Sequence, residues 1–202
     1  FRPLMISRQT SSALIFGGSG IIGQAIAKTF GQNGGTVGLH YHRNKAAAEK
    51  TVDDIKKTGG KAPLFQADVK HPPQLHTLLE TFLDAHATLD VFIWAVGTTA
   101  SAHTVKTSSE NWINTLQTNL TGAYLALKES APTFQRQHNG AVILIGSLSS
   151  QQGHPGQAAY AASKAGLVGL MKSLAQEWGT HNIRVNIVFP GWHRSPLTSS
   201  TF

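Results

Sequence analysis

The 202-residue chain is 41% hydrophobic and 13% charged, an ordinary globular composition with apolar material for one well-buried domain. It contains no cysteine, which excludes a disulfide framework and thiolate metal sites, and no apolar run reaches the roughly 18 residues that a membrane-spanning helix requires. A net charge of +7 favours anionic partners, but Lys and Arg are scattered, with no basic run of five and no interleaved aromatics, so the expected anion is a phosphate-bearing cofactor and not nucleic acid.

Residues 1–12, FRPLMISRQTSS, are basic, rich in Ser and Thr and free of acids, without the apolar core of a signal peptide. They read as a flexible leader ahead of one domain, 13–202, and the expected compartment is the cytoplasm, with an organellar matrix as the alternative. Short apolar runs then alternate with amphipathic stretches, the pattern of βαβ units around a parallel sheet. Strands are predicted at 13–16, 37–41, 63–67, 91–96, 141–145 and 183–189. Ile22, Ala25, Ile26, Thr29 and Phe30 mark the buried face of a first helix that Asn33-Gly34-Gly35 stops. A second helix spans 45–58, and Pro72-Pro73 opens a third that runs to about 87. Ser108 or Ser109 caps a long helix to about 137, in which Pro132 predicts a kink or an early end. The last helix starts near 158, with Leu167, Leu170, Met171, Leu174 and Trp178 on one face. No repeat, linker or low-complexity segment divides the chain.

Three stretches carry chemistry. Gly17-Gly18-Ser19-Gly20-Ile21-Ile22-Gly23 lies between the first strand and its helix, where a glycine-rich turn lets backbone approach a pyrophosphate at a helix N-terminus. Gly18-x-Gly20-x-x-Gly23 fits the general dinucleotide fingerprint; a turn that only packs helix on strand reads the same way. Gly17, Ser19, Gly20, Ile22 and Gly23 are the candidate contacts. At the end of the second strand, an NAD site usually carries an acid for the ribose hydroxyls, whereas this chain reads His40-Tyr41-His42-Arg43-Asn44-Lys45. That favours a 2′-phosphate, hence NADP(H), gripped by Arg43 with His42 and Asn44, because a guanidinium matches phosphate geometry. A solvated basic turn is the alternative. His40 and His42 share one strand face but lack a third ligand in reach, so no metal is expected.

The third stretch is SLSSQQGHPGQAAYAASK, from Ser147 to Lys164. Ser147 falls where a buried parallel strand ends, the end at which ligands bind in open α/β sheets. Tyr160 and Lys164 stand one helical turn apart. A phenol with a pKa near ~10 is a poor acid or base at neutral pH, but an ammonium one turn away favours phenolate, and Ser147 can donate to the same substrate oxygen. Tyr-x-x-x-Lys alone also describes a surface pair.

Ser147, Tyr160 and Lys164 at this spacing, followed by NIRVNIVFPGW at 182–192, resemble the short-chain dehydrogenase/reductase family, and within it the members that act as 3-oxoacyl-(acyl-carrier-protein) reductases. The resemblance runs from ALIFGGSGIIG to PGW. It implies a doubly wound, Rossmann-type parallel α/β sheet and an NADP(H)-dependent interconversion of a carbonyl, small or acyl-thioester, with an alcohol. Tyr160 is implied as general acid/base, Ser147 as orienting the oxygen, and Lys164 as lowering the tyrosine pKa and holding the nicotinamide ribose. Asn119 is implied as a fourth catalytic residue that would hold a water leading from Lys164; by helical spacing alone it reads as a buried, satisfied amide. The resemblance further implies Asp68-Val69 as the adenine-contacting pair, backbone contacts from Ala95 and Gly97, and a nicotinamide-facing turn at Pro190-Gly191 with His193, followed by Ser195 at the carboxamide or diphosphate.

The chain departs from the family at Phe16, where Thr is usual, at Ile21, where the second glycine usually sits, and at Trp94-Ala95, where two asparagines are usual. The last pair is expected to leave backbone contacts alone. The family also continues beyond the position of Phe202 into a substrate-covering loop, a helix and a seventh strand, so the expected domain is incomplete, without that strand and lid. Ala161, Ala162, Ala165, Gly166 and Gly169 on the tyrosine helix allow close packing in a homo-oligomer. The HYHR string is also similar to pteridine reductases of the family, but there an Asp takes the place of the catalytic serine, so Ser147 favours the 3-oxoacyl type. A cofactor-binding protein without catalysis, a sensor, is the alternative from another class.

Overall fold

Three apolar segments dense in β-branched and aromatic residues form the centre of the sheet: β1 (Ser12–Phe16), β4 (Val91–Trp94) and β5 (Gly140–Ile145). Such runs, apolar on both faces, suit strands covered on both sides. A computed structural model of the protein describes residues 11–191 and places them around one six-stranded parallel sheet. The order is β3-β2-β1-β4-β5-β6, with β2 (Thr36–Tyr41), β3 (Leu64–Gln66) and β6 (Ile183–Val188) completing it. β6, at one edge, alternates: Ile183 and Val185 are buried, Arg184 and Asn186 exposed.

Helices cover the two faces. α1 (Ile21–Gln32) and α2 (Lys45–Lys57) pack over Ala13, Ile15, Val37, Leu39 and Ile93. On the other face α3 (Pro72–His86), α5 (Gly122–Gln137) and α7 (Ala158–Gly179) bury Phe82, Leu127, Leu167 and Trp178 against Leu14, Phe16, Phe92 and Leu144. Each fully buried Phe or Leu contributes about 1.5–3 kcal/mol relative to exposure, so this second layer is the larger stabilising block. Two helix starts are capped as the residue types suggest: Asn44 accepts the amide of Ala47 at 3.1 Å, and Ser108 that of Asn111 at 3.1 Å.

The expected doubly wound parallel sheet is found, with strand ends shifted by at most two residues. β4 stops at Trp94 and not at 96, because the chain leaves the sheet there to enter the loop over the crevice. The long helix from Ser108 differs from expectation in two ways. α4 (Ser109–Leu116) passes through a π-helical turn (Gln117–Thr121) before α5, and α5 continues past Pro132 to Gln137. Pro132 and Lys128 are both exposed, so the carbonyl that the proline leaves without a donor faces water. α6 (Ser149–Gln152) is a short helix in a stretch that sequence reasoning left as a loop. No helix among the described residues is long and apolar enough to cross a membrane.

Candidate active site

β1 pairs with β2 on one side and β4 on the other, so the strand order reverses at β1 and a crevice opens at the carboxyl ends of β1 and β4. The glycine turn forms its floor. Gly17 has φ of +80°, and a Cβ there would stand 2.7 Å from the Ala95 carbonyl carbon, so only glycine fits. A Cβ at Gly23 would collide with the Gly17 carbonyl oxygen, which is how α1 packs so closely on the turn. Gly20 caps α1 with no side-chain hydrogen bond, leaving its N-terminal amides to be met from the crevice. Ile21 is 46% exposed, so its side chain points away from the turn. A glycine cradle and an uncapped helix start fit a diphosphate.

The end of the crevice at which adenosine contacts were expected is built by β2 and β3. His40 is buried, and the Gly17 amide donates to its Nδ1 at 3.1 Å while its Nε2 lies 3.0 Å from the Ala67 carbonyl. Arg43 is exposed and makes no ion pair among the described residues, which leaves its guanidinium available to a phosphate. Asn44, expected beside it as a phosphate ligand, spends its side-chain oxygen on the α2 cap. His42 sits 3.7 Å from Asp68, whose carboxylate also faces Lys70 at 3.9 Å and His71 at 3.7 Å. Val69 is buried against the α5 start, where a Cβ on Gly122 would meet its Cγ2 at 2.9 Å. A polar hollow of about 440 Å³ lies beside these groups, lined by His42, Gln66, Ala67, Asp68, His71 and Gln74.

At the other end Ser147, Tyr160 and Lys164 converge. The Ser147 hydroxyl accepts the Ser149 amide at 3.2 Å and stands near enough to the Tyr160 phenol to act on its titration. Lys164 is buried, with Nζ donating to the carbonyls of Ile145 (2.8 Å) and Val96 (3.4 Å), the ends of β5 and the loop after β4. Its ammonium lies 5.9 Å from the centre of the Tyr160 ring. Burial pulls the Lys164 pKa down to about 8. Burial also pushes the Tyr160 pKa up, with the Ser147 hydrogen bond acting in the opposite direction. The net direction for the phenol is therefore upward, opposite to the lowering expected from Lys164, because burial is the largest cause.

Asn119 lies on the π turn, fully buried, and both donors of its side-chain amide and one acceptor position are used. Its Oδ1 accepts from the Thr98 amide (2.8 Å), and its Nδ2 donates to the Thr98 carbonyl (2.9 Å) and Ser163 Oγ (3.0 Å). The side chain clamps the loop after β4 to the tyrosine helix, the satisfied-amide reading of its spacing. Its carbonyl accepts from the Trp94 indole N–H at 3.2 Å. Trp94 therefore does more than leave backbone contacts: its ring nitrogen donates to the backbone of the π turn. Ala95 is held by its own amide on the Phe16 carbonyl at 2.9 Å. Gly97 faces the site, since a Cβ there would come 3.6 Å from Lys164 Nζ.

Ile22, Pro190 and Gly191 meet at an open apolar hollow of about 570 Å³, whose other walls are Ile26, Ile93, Ile143, Ile145 and Val188. It suits a flat, weakly polar ring. His193 and Ser195, like residues 1–10 of the expected leader, lie outside the described residues. Of the small residues on α7, Gly166 serves this chain's own packing, because a Cβ there would strike Leu120, while Gly169 faces open space. The residue that sequence reasoning missed is His40. Strand alternation held the signal: Val37, Leu39 and Tyr41 share one face, which turns His40 into the opposite layer, where a buried imidazole must find partners.

The family model described as short chain dehydrogenase matches residues 11–202. The 3-oxoacyl-(acyl-carrier-protein) reductase FabG of Staphylococcus aureus is 33% identical over 193 residues, covering 96% of this chain and 78% of its own. Among solved structures, a dehydrogenase/reductase from Sinorhizobium meliloti superposes with a TM-score of 0.86 at 30% identity, over 93% of this chain and 74% of that one. A xylitol dehydrogenase solved with NAD+ bound superposes with a TM-score of 0.87 at 26% identity, over 90% of this chain and 70% of that one. With a doubly wound sheet, a glycine cradle at its switch point and a Ser-Tyr-Lys cluster beside it, the chain belongs to the short-chain dehydrogenase/reductase family of oxidoreductases, most like the FabG type.

Proposed function

We propose that the protein is an NADPH-dependent reductase of a carbonyl carried on a small molecule or acyl thioester, of the 3-oxoacyl type. The observation that carries this reading is the convergence of Ser147, Tyr160 and Lys164 at the carboxyl end of β5, beside the crevice. The bound nicotinamide would supply the hydride that reaches the carbonyl carbon. Tyr160 gives its phenolic proton to the carbonyl oxygen, and Ser147 donates a hydrogen bond that aims this oxygen at the phenol. Lys164, with a pKa of about 8, is charged at neutral pH; two of its protons point at Ile145 and Val96, which leaves a third for a ribose hydroxyl or the developing phenolate. The positive charge beside the ring favours phenolate once the proton has left. Asn119 holds the loop that carries Thr98 against the helix that carries Tyr160, and so acts on their separation.

Preference for the 2′-phosphate rests on Arg43 and on the lack of an acid at the end of β2. Fluorescence titration with NADPH and NADH tests it. Arg43→Ala is expected to weaken NADPH about tenfold, the order of one charge-assisted hydrogen bond, and to leave NADH unchanged. Equal binding of the two nucleotides would remove the NADP assignment.

A second reading is a nucleotide-binding sensor, favoured by the use of both Asn119 amide donors on Thr98 and Ser163, which makes this side chain a structural clamp. Binding without NADPH oxidation across a panel of 3-oxoacyl thioesters, ketones and pterins would select it.

A further inference from the structure

His40 lies in the body of the sheet, yet it touches all three segments that wall the adenosine end of the crevice. Its ring is 2% exposed and packs 5.0 Å from the ring of Phe16. The Gly17 amide can only donate, so Nδ1, 3.1 Å away, must be the acceptor and carry no proton. Nε2 then bears the hydrogen and donates to the Ala67 carbonyl at 3.0 Å. The backbone of the same residue adds a third bond, since its carbonyl accepts the Gly18 amide at 2.8 Å. Two consecutive amides of the glycine turn are thus held by one residue, whose other ring nitrogen reaches the segment that opens Asp68-Val69. Two positions further along its own chain stand His42 and then Arg43.

We propose that His40 is a positioning residue for the dinucleotide: its imidazole ties the Gly17 end of the glycine turn to the Ala67 end of β3 and thereby sets the width of the adenosine pocket and the affinity for the cofactor. The inference rests on the reading of this crevice as a nicotinamide dinucleotide site. Burial holds the ring neutral, with a pKa down to about 4 despite the Ala67 hydrogen bond and the Asp68 carboxylate, which act upward; His42 acts downward with the burial. The clamp is consequently set throughout the neutral range.

Two substitutions separate its halves. In His40→Asn the side-chain oxygen replaces Nδ1 and keeps the Gly17 bond, while in His40→Gln the amide nitrogen reaches towards Ala67 but offers no acceptor to Gly17. Each cuts the tie at a different end, so with folding checked by circular dichroism and melting, titration with NADPH and with NADH is expected to show Kd raised about tenfold in both. The factor should be the same for both nucleotides, unlike that of Arg43→Ala, and kcat at saturating nucleotide should stay within about twofold. Long-range ¹H–¹⁵N spectra of the wild-type protein should show His40 Nδ1 bare and Nε2 protonated from pH 6 to 8, a result that needs no nucleotide. Folded variants of which either binds as wild type, a fall in kcat without a change in Kd, or a protonated Nδ1 would each overturn the proposal. Failure of the wild type to bind either nucleotide would instead remove the underlying reading, whatever the tautomer.

Discussion

The two ends of the crevice are built on different principles. At the adenosine end, the groups that face the cleft are mainly backbone amides and exposed side chains, and the one buried polar side chain, His40, works by holding backbone in place. At the end proposed as catalytic the groups in question are side-chain termini, the Tyr160 phenol and the Lys164 ammonium, and their titration is set mainly by burial. A site made of backbone tolerates changes of residue type as long as the turn is kept, which is why Ile21 is accommodated with its side chain half out in solvent. Side-chain termini are less forgiving. Trp94, at the end of β4, adds a side-chain bond of its own, from its ring nitrogen to the Asn119 backbone carbonyl.

The difference sets a hierarchy of expected effects. Tyr160→Phe removes the acid from the catalytic end alone: carbonyl reduction should fall by a factor on the order of 10²–10⁴, while NADPH affinity changes less than about twofold. Steady-state NADPH oxidation beside a binding titration reads both, and a comparable loss in the two would mean the ends are not separable.

Lys164 is next. Its folded pKa, about 8, lies below its value of 10.5 in the unfolded chain, so the unfolded state binds more protons between these values. Stability should therefore rise as pH increases from about 8 towards 10, where Tyr160, shifted up, begins to act in the opposite sense. The cost relieved is roughly 3 kcal/mol at full deprotonation. Lys164→Met should abolish that rise in urea denaturation curves, and a variant with an unchanged profile would contradict the burial argument.

His40 gives the mirror-image test at the adenosine end. Its pKa of about 4 against 6.5 unfolded means that stability is intact above about 6.5 and is lost progressively as pH falls towards 4, a loss of roughly 3 kcal/mol. His40→Asn, which cannot protonate there, should flatten the acid limb and leave the alkaline limb of Lys164 untouched. Coupled changes in both limbs would show that the two ends communicate.

The smallest effect belongs to Trp94→Phe, which keeps an aromatic ring but removes the indole N–H that donates to the buried Asn119 backbone carbonyl. A loss of about 1–3 kcal/mol is expected by chemical denaturation, accompanied by lower kcat and unchanged NADPH affinity. A shift in affinity instead would place Trp94 on the adenosine side of the comparison.

Much of this molecule follows from patterns only a few residues long. Alternation of apolar runs with amphipathic stretches determines the βαβ order, because burial on one face of a helix or both faces of a strand imposes a local period. The glycines at 17, 20 and 23 announce a turn that side chains cannot enter, and the spacing of Ser147, Tyr160 and Lys164 brings a strand end and one helical turn together whatever surrounds them. What the tertiary structure alone decided are the partners of groups distant in sequence. His40 meets Gly17 and Ala67 across 23 and 27 residues, and Trp94 meets Asn119 across 25. The direction of the Tyr160 and Lys164 pKa shifts is of the same kind, since desolvation depends on everything packed around a group. Strand register and the π turn bring these atoms together, and neither is written in any short window of the chain, because a buried polar atom is satisfied by whichever donor or acceptor the completed fold delivers to it.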